Sequence, residues 1–276
     1  MMRALPHTPA HEAAVALRAR GLNRSFGGLN ATTDVAFDVT AGAITALIGP
    51  NGAGKTTLFN LITNVFPPDS GTVYYFGESL AGWSPNQIAA AGLIRTFQSA
   101  RVFPGMTALE NILVGRHRLR KATVLGQMLH TSFARAEEQA LVQRAEELLE
   151  LIGLAAERDT HAMELPMGSQ KLLDIACALT ARPRVLLLDE PAAGLNDRET
   201  EELADLLLAI RAIGITMLIV EHNMSLVMNV ADEVIVLEAG KVIARGVPAA
   251  VQSDERVIAA YLGAAEARLG EGAVAS

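Results

Sequence analysis

Short apolar runs recur along this chain, each ending in glycine or in charged residues. Ile44 to Ile48, Val185 to Leu188 and Thr216 to Val220 are almost unbroken apolar segments of strand length. Continuous rather than alternating runs of this kind are expected of parallel strands covered on both faces. Earlier, from Val15 to Val39, the pattern alternates (Val15, Leu17, Ala19, then Val35, Phe37, Val39), which predicts antiparallel strands with one face buried. Thr72 to Phe76 is another β-rich segment, closed by Gly77.

Between about 85 and 180 the period lengthens to that of helices. Ala108 to Leu113 opens one, with Thr107 in N-cap position and Glu110 three residues on, the capping-box spacing. Ala134 to Ile152 carries Leu141, Ala145, Leu148, Leu149 and Ile152 on one face. After 180, strand and helix patterns alternate: Val185–Leu188, Arg198 to Ile213, Thr216–Val220, Met224–Val230 and Glu233–Leu237. That alternation predicts an α/β fold with a parallel sheet, an antiparallel β portion ahead of it and a helical subdomain inserted within it.

Two segments carry chemistry. Gly49-Pro50-Asn51-Gly52-Ala53-Gly54-Lys55-Thr56-Thr57 fits G-x-x-x-x-G-K-[ST] and follows the run Ile44 to Ile48, the strand-to-loop context of a phosphate-binding P-loop. Glycines let successive main-chain N–H groups converge on one anion at a helix N-terminus. Lys55 would reach the β- and γ-phosphates of a nucleoside triphosphate, and the Thr56 hydroxyl would hold Mg²⁺. The second segment is Val185-Leu186-Leu187-Leu188-Asp189-Glu190, an apolar strand ending in two carboxylates. Asp189 has the Walker B position for Mg²⁺ and Glu190 that of a general base for the attacking water. His222 follows a third strand and would share the sheet edge where ligands of such sheets sit; a structural histidine is the alternative. The fold expected is therefore a P-loop NTPase core with an inserted helical subdomain.

Composition narrows the setting. Half of the 276 residues are hydrophobic and mean hydropathy is +0.28. No apolar stretch reaches the roughly 18 residues that cross a bilayer. The surplus suggests a surface that docks on something. Met1 to Ala16 lacks the continuous apolar centre of a secretory signal, so a cytoplasmic location is expected. A single cysteine, Cys177, excludes an internal disulfide. A net charge of −7 gives no support for nucleic-acid binding.

Taken together, the P-loop, a glutamine segment, a signature segment, Walker B with its glutamate, and a strand-end histidine follow the order found in ATP-binding cassette (ABC) transporter ATPases. The resemblance covers about 15–263. It implies one ABC ATPase domain, with 15–95 and 181–263 forming the core and β subdomain, 96–180 the helical and signature subdomain, and 1–14 and 264–276 tails. It implies a head-to-tail pair of ATPase subunits with ATP and Mg²⁺ at each joint. It also assigns residues. Phe26 would stack on adenine, or else be core. Gly49, Asn51, Gly52, Gly54, Lys55, Thr56 and Thr57 would cradle the phosphates. Gln98, in Arg95-Thr96-Phe97-Gln98, would ligate Mg²⁺ with Thr56 and Asp189, or else be a solvated polar residue. Glu190, His222, Gln98 and Lys55 would make the catalytic set, and Ala193-Gly194-Leu195-Asn196 the loop that communicates across the pair.

The signature segment departs from the family. Leu165-Pro166-Met167-Gly168-Ser169-Gln170 resembles L-S-G-G-Q with proline at the serine position, which removes a hydroxyl donor; Gly168 and Gln170 remain as the expected nucleotide contacts. Asn196 stands where an acidic residue is common.

Arg95-Thr96-Phe97-Gln98, the stretch Arg116 to Glu138, Asp189 to Asn196, Glu221-His222-Asn223-Met224 and Ala260-Tyr261-Leu262-Gly263 are similar to the longer ATP-binding subunit of branched-chain amino-acid importers. That likeness implies permease subunits, a second ATPase subunit (like or unlike) and, indirectly, an extracytoplasmic substrate-binding protein, with the chain peripheral on the cytoplasmic face of the membrane. Relatives that move urea, amides or aromatic acids are the nearest alternative. Arg116, Arg118, Arg120 and Lys121 could meet a permease or anionic lipid, or be a solvated face. A soluble cassette acting on nucleic acid or ribosomes is disfavoured, because such chains carry two cassettes or a coiled coil. A GTPase is disfavoured by the missing N-K-x-D, and a kinase would need an acceptor site and lid. A non-hydrolysing cassette stays open because of Pro166.

Overall fold

A computed structural model describes residues 14–96, 102–115 and 132–261. In chain order the first elements are strands β1 (Val15–Phe26), β2 (Leu29–Thr40) and β3 (Ile44–Ile48), helix α1 (Lys55–Ile62), strands β4 (Ser70–Tyr75) and β5 (Glu78–Ser79), helix α2 (Pro85–Ala90), strand β6 (Leu93–Arg95) and helix α3 (Ala108–Gly115). Next come α4 (Ser132–Leu151), α5 (Met167–Leu179), β7 (Val185–Asp189), α6 (Asp197–Ala212), β8 (Thr216–Val220), α7 (Met224–Val230), β9 (Glu233–Glu238), β10 (Lys241–Gly246) and α8 (Pro248–Gln252).

The strands form two sheets. One has four strands in the order β2-β1-β4-β5, all neighbours antiparallel. The other has six in the order β10-β9-β3-β8-β7-β6, with parallel pairs from β9 to β6 and an antiparallel edge at β10. All five residues of β3, β7 and β8 are buried, which is why their sequences do not alternate. The pleat still shows in what they touch. Val185 and Leu187 face the cluster shared with α1 and the antiparallel sheet. Leu186 and Leu188 face the cluster built with α3, α4, α5 and α6. Each such side chain contributes about 1.5–3 kcal/mol on burial, so a one-residue register slip in this sheet would exchange two cores at once.

The expected elements are present, with boundaries shifted by a few residues. Leu141, Ala145, Leu148, Leu149 and Ile152 are all buried. Thr107 and Glu110 form the capping box at α3: the Glu110 amide donates to Thr107 Oγ1 at 3.2 Å, and the Thr107 amide to Glu110 Oε2 at 2.8 Å. One difference lies in the region read as helical from 85: β6 is a strand, paired in parallel with Val185–Leu187. Three residues show no period, and their partner lies some ninety positions downstream, so only the assembled sheet reveals them. Helix α5 begins at Met167, which places Gly168 and Gln170 inside its first turn. Asn196 is the N-cap of α6, its Oδ1 accepting from the Glu199 amide at 3.0 Å while Glu199 Oε2 accepts from the Asn196 amide at 3.0 Å. This reciprocal cap gives that asparagine a local role that the comparison with an acidic residue had hidden.

Candidate nucleotide-binding site

The C-terminal ends of β3, β7 and β8 lie side by side, and their loops gather Lys55, Asp189, Glu190 and His222 on one edge of the sheet. The P-loop leaves β3 at Gly49, whose φ of 151° lies outside the usual L-residue range. A Cβ added there would sit 2.0 Å from the Leu237 carbonyl oxygen, and one on Gly54 2.3 Å from the Ala31 carbonyl oxygen. The loop is therefore pressed against two neighbouring backbones, which fixes its curvature. Lys55 opens α1 and folds back, its Nζ donating to the Gly49 and Pro50 carbonyls at 2.7 and 3.0 Å. Burial lowers the Lys55 pKa, and the charges of Glu190 and Asp189 pull it back up. Thr56 is exposed beside it. A Thr hydroxyl and an Asp carboxylate are hard oxygen donors of the kind Mg²⁺ takes alongside phosphate oxygens, so the residues present fit magnesium nucleotide.

Asp189 ends β7 and is engaged by Arg95 from β6, Nη2 to Oδ2 at 2.8 Å, with both side chains largely buried. Arg95 Nη1 also donates to Asn60 Oδ1 at 2.6 Å, and the guanidinium lies 5.4 Å from the Phe59 ring centre. In the sequence this pairing is marked only by an arginine closing the short apolar run Leu93-Ile94. Removing one member of a buried pair strands the other charge, at a cost of about 3–5 kcal/mol. Arg95→Met is thus expected to lower the thermal midpoint by about 10 °C, taking 2–4 °C per kcal/mol for a chain of this size. Differential scanning calorimetry checks this, and an unchanged midpoint would mean that the pair contributes nothing net.

Glu190 follows with φ of 50°. An L residue is held in that left-handed region at a cost of about 1–3 kcal/mol, and such outliers cluster at functional sites. Here the Glu190 amide donates to the Val220 carbonyl at 2.9 Å and its carbonyl accepts from the Ala193 amide at 3.1 Å, which together impose the turn. His222 Nδ1 lies 3.9 Å from Glu190 Oε2, with the imidazole more than half exposed. Phe26, at the tip of the β1–β2 hairpin, is also exposed, so it is not core. It meets Phe66 edge-to-face at 5.4 Å and carries the Arg24 guanidinium 4.8 Å from its ring centre. Gln98, expected among the magnesium and catalytic groups, lies outside the described residues, as do Arg116, Arg118, Arg120 and Lys121.

On the signature segment, Pro166 is the N-cap of α5 with no side-chain cap. Gln170 donates its side-chain amide to the Leu165 carbonyl at 2.9 Å and so braces its own loop. Counted one for one from Leu165, the five-residue signature ends at Ser169, so Gln170 stands one place beyond it. Gly168 packs close to α6: a Cβ there would lie 2.5 Å from Glu199 Oε1. Cys177, further along α5, has its thiol pushed up to about 12, by burial first and by the nearby Asp174 charge second. This is the chemistry of a packed side chain, not of a nucleophile.

Two further groups were not anticipated. Glu221, wholly buried after β8, accepts from the Ala192 amide at 2.7 Å and from the His222 and Asn223 amides at 3.0 and 3.1 Å. Lys171, buried in α5, donates to the Pro191 carbonyl at 3.1 Å and also to that of Ala193. A lysine among the apolar positions Leu172 and Leu173, and a glutamate directly after five buried strand residues, were the only hints in the sequence.

Known proteins of similar sequence and fold identify the family. The family model described as ABC transporter matches residues 32–193, and one described as branched-chain amino acid ATP-binding cassette transporter matches 241–267. The chain is 43% identical over 251 residues to the high-affinity branched-chain amino acid transport ATP-binding protein LivG of Escherichia coli K12, covering 90% of this chain and 98% of that protein. It is 40% identical over 250 residues to the corresponding protein BraF of Pseudomonas aeruginosa, with the same coverages. Among solved structures, the ADP conformation of MJ1267, an ATP-binding cassette of an ABC transporter, superposes with a TM-score of 0.78 at 33% identity, over 90% of this chain and 99% of that one.

Proposed function

The chain belongs to the ABC transporter ATP-binding family, in its branched-chain amino-acid branch, and from that premise we propose that it hydrolyses ATP to drive uptake of leucine, isoleucine and valine. The ATPase part of this reading rests on one observation: Lys55, Asp189, Glu190 and His222 converge at the ends of three adjacent parallel strands. The substrate part rests on the whole-length likeness to LivG and BraF.

Magnesium ATP would supply the γ-phosphoryl group together with a divalent charge that offsets the phosphates. The P-loop amides from Gly49, Asn51, Gly52, Gly54 and Thr57, with the Lys55 ammonium, hold the phosphate tail. Lys55 is suited to release the Gly49 and Pro50 carbonyls for it, since both are neutral acceptors and a phosphate is charged. Thr56 and Asp189, with Gln98, would hold the metal, and Phe26 beside Phe66 offers an aromatic face to adenine. Glu190 takes the proton of the attacking water as general base, and His222 orients the same water and the γ-phosphate. Gly168 at the start of α5 presents a helix N-terminus, which favours the γ-phosphate held by a second subunit.

Among the described residues no helix is long and apolar enough to cross a membrane. Cassettes of this family dimerise and work with permease subunits, and the reading places this one on the cytoplasmic face beneath a permease pair. The other cassette of the pair is a like or unlike subunit, and an extracytoplasmic binding protein delivers substrate. Exposed Phe103, next to Val102 and Met106 near the glutamine segment, is the apolar surface offered to a permease helix. The test is uptake into vesicles holding the chain with its permeases, second cassette and binding protein. ATP-dependent accumulation of labelled leucine, competed by isoleucine and valine, is expected. Uptake of urea, a short amide or an aromatic acid instead would move the protein to that branch, and ATP-independent uptake would remove the energising role.

A further inference from the structure

Lys171 and Glu221 belong to different segments, yet both are buried and both hold the same three-residue loop. Glu221 takes the Ala192 amide at 2.7 Å, while Lys171 takes the Pro191 and Ala193 carbonyls. The loop follows Glu190 directly, and the Ala193 amide closes back on the Glu190 carbonyl at 3.1 Å. The other carboxylate oxygen of Glu221 holds the amides of His222 and Asn223 at 3.0 and 3.1 Å. Lys171 in turn stands four residues along α5 from Met167, whose sulfur lies 3.3 Å from where a Cβ on Gly194 would be. One connected path thus runs from the N-terminus of the signature helix through the loop to the two side chains proposed to do the chemistry.

We propose that Lys171 and Glu221 are positioning residues for ATP hydrolysis: together they fix the Pro191–Ala193 loop to α5 and so hold Glu190 and His222 in register with the signature segment. The assignment rests on the ATPase reading above and goes beyond it, since neither residue touches nucleotide in that reading. Charge makes the arrangement specific. Lys171 loses solvation on burial, which lowers its pKa, and the charges of Glu221 and Glu190 oppose that loss. A buried ammonium is kept only where carbonyls and a carboxylate surround it. An apolar side chain could fill the space but could donate to neither carbonyl.

The experiment separates positioning from bulk stability. Lys171→Met leaves a buried carboxylate without its counter-charge, so both the thermal midpoint and kcat should fall. The double variant Lys171→Met with Glu221→Gln removes both charges and should regain part of the midpoint, the remainder being lost because the Gln amide accepts through only one of its two ends. Its kcat should nonetheless remain about tenfold or more below native, because small misplacements of reacting groups are costly in rate. Its affinity for ATP, measured on the isolated chain by nucleotide fluorescence, should stay within about twofold of native, since the P-loop is untouched. A double variant that regains native turnover, that loses affinity as much as rate, or that does not fold overturns the proposal. Failure of the underlying reading is a different result: there the native chain itself would not hydrolyse magnesium ATP.

Discussion

Glu190→Gln is expected to bind ATP as tightly as the native chain and to hydrolyse it about a thousandfold more slowly, in the range a general base contributes. A factor of that size corresponds to about 4 kcal/mol in the barrier. The substitution exchanges one carboxylate oxygen for an amide nitrogen and adds no volume. Main-chain groups make the turn: the Glu190 amide on the Val220 carbonyl and the Ala193 amide on the Glu190 carbonyl. Glutamine therefore inherits the same left-handed backbone, at φ of 50°, and the same direction of the side chain. What it lacks is a basic oxygen to receive the proton of water. Affinity should survive because Lys55, whose environment includes the Glu190 charge, meets one negative neighbour fewer and attracts the triphosphate at least as well. Phosphate release in a single turnover, beside equilibrium binding of labelled ATP, reads the two quantities separately. Hydrolysis at the native rate would dismiss Glu190 as the base, and a parallel loss of binding would make its role electrostatic support of the loop.

What could be read from the sequence is what is encoded locally. The P-loop was legible because its glycines, its lysine and the strand before it are contiguous. The end of β7 was legible because four apolar residues run straight into Asp189 and Glu190. The cap at Thr107 was legible because both partners lie within one turn, and the Asn196 cap could have been read the same way. The missed features are those made by segments far apart in sequence. β6 is defined by a partner strand, not by its own three residues. Arg95 meets Asp189 only because β6 and β7 are neighbours in the sheet. Lys171, Pro191 and Glu221 are brought together by a helix start, a loop and a strand end. Burial also hides function: Lys171 and Glu221 sit where composition and periodicity lead one to expect leucine or valine.

Gly49→Ala is expected to abolish nucleotide binding, lowering affinity at least a hundredfold, or about 2.7 kcal/mol. The added carbon would lie 2.0 Å from the Leu237 oxygen, 3.1 Å from its carbonyl carbon and 3.2 Å from the Ala53 Cβ. The first two are backbone atoms of β9, held between β3 and β10 in the sheet, so they cannot give way as a side-chain tip could. The P-loop must move instead, carrying with it the Gly49 and Pro50 carbonyls that seat Lys55. Overpacking of this kind also costs about 1–3 kcal/mol of stability, so the thermal midpoint should fall together with affinity. Gly42→Ala provides the control. Gly42 also has positive φ, 73°, but nothing lies within 4 Å of its would-be Cβ, so only left-handed strain of about 1–2 kcal/mol is added. That variant should lose stability and keep ATP affinity. If instead the Gly49 variant bound ATP normally, the loop would not be seated on Leu237, and the close approach that shapes the phosphate cradle would have no part in holding the nucleotide.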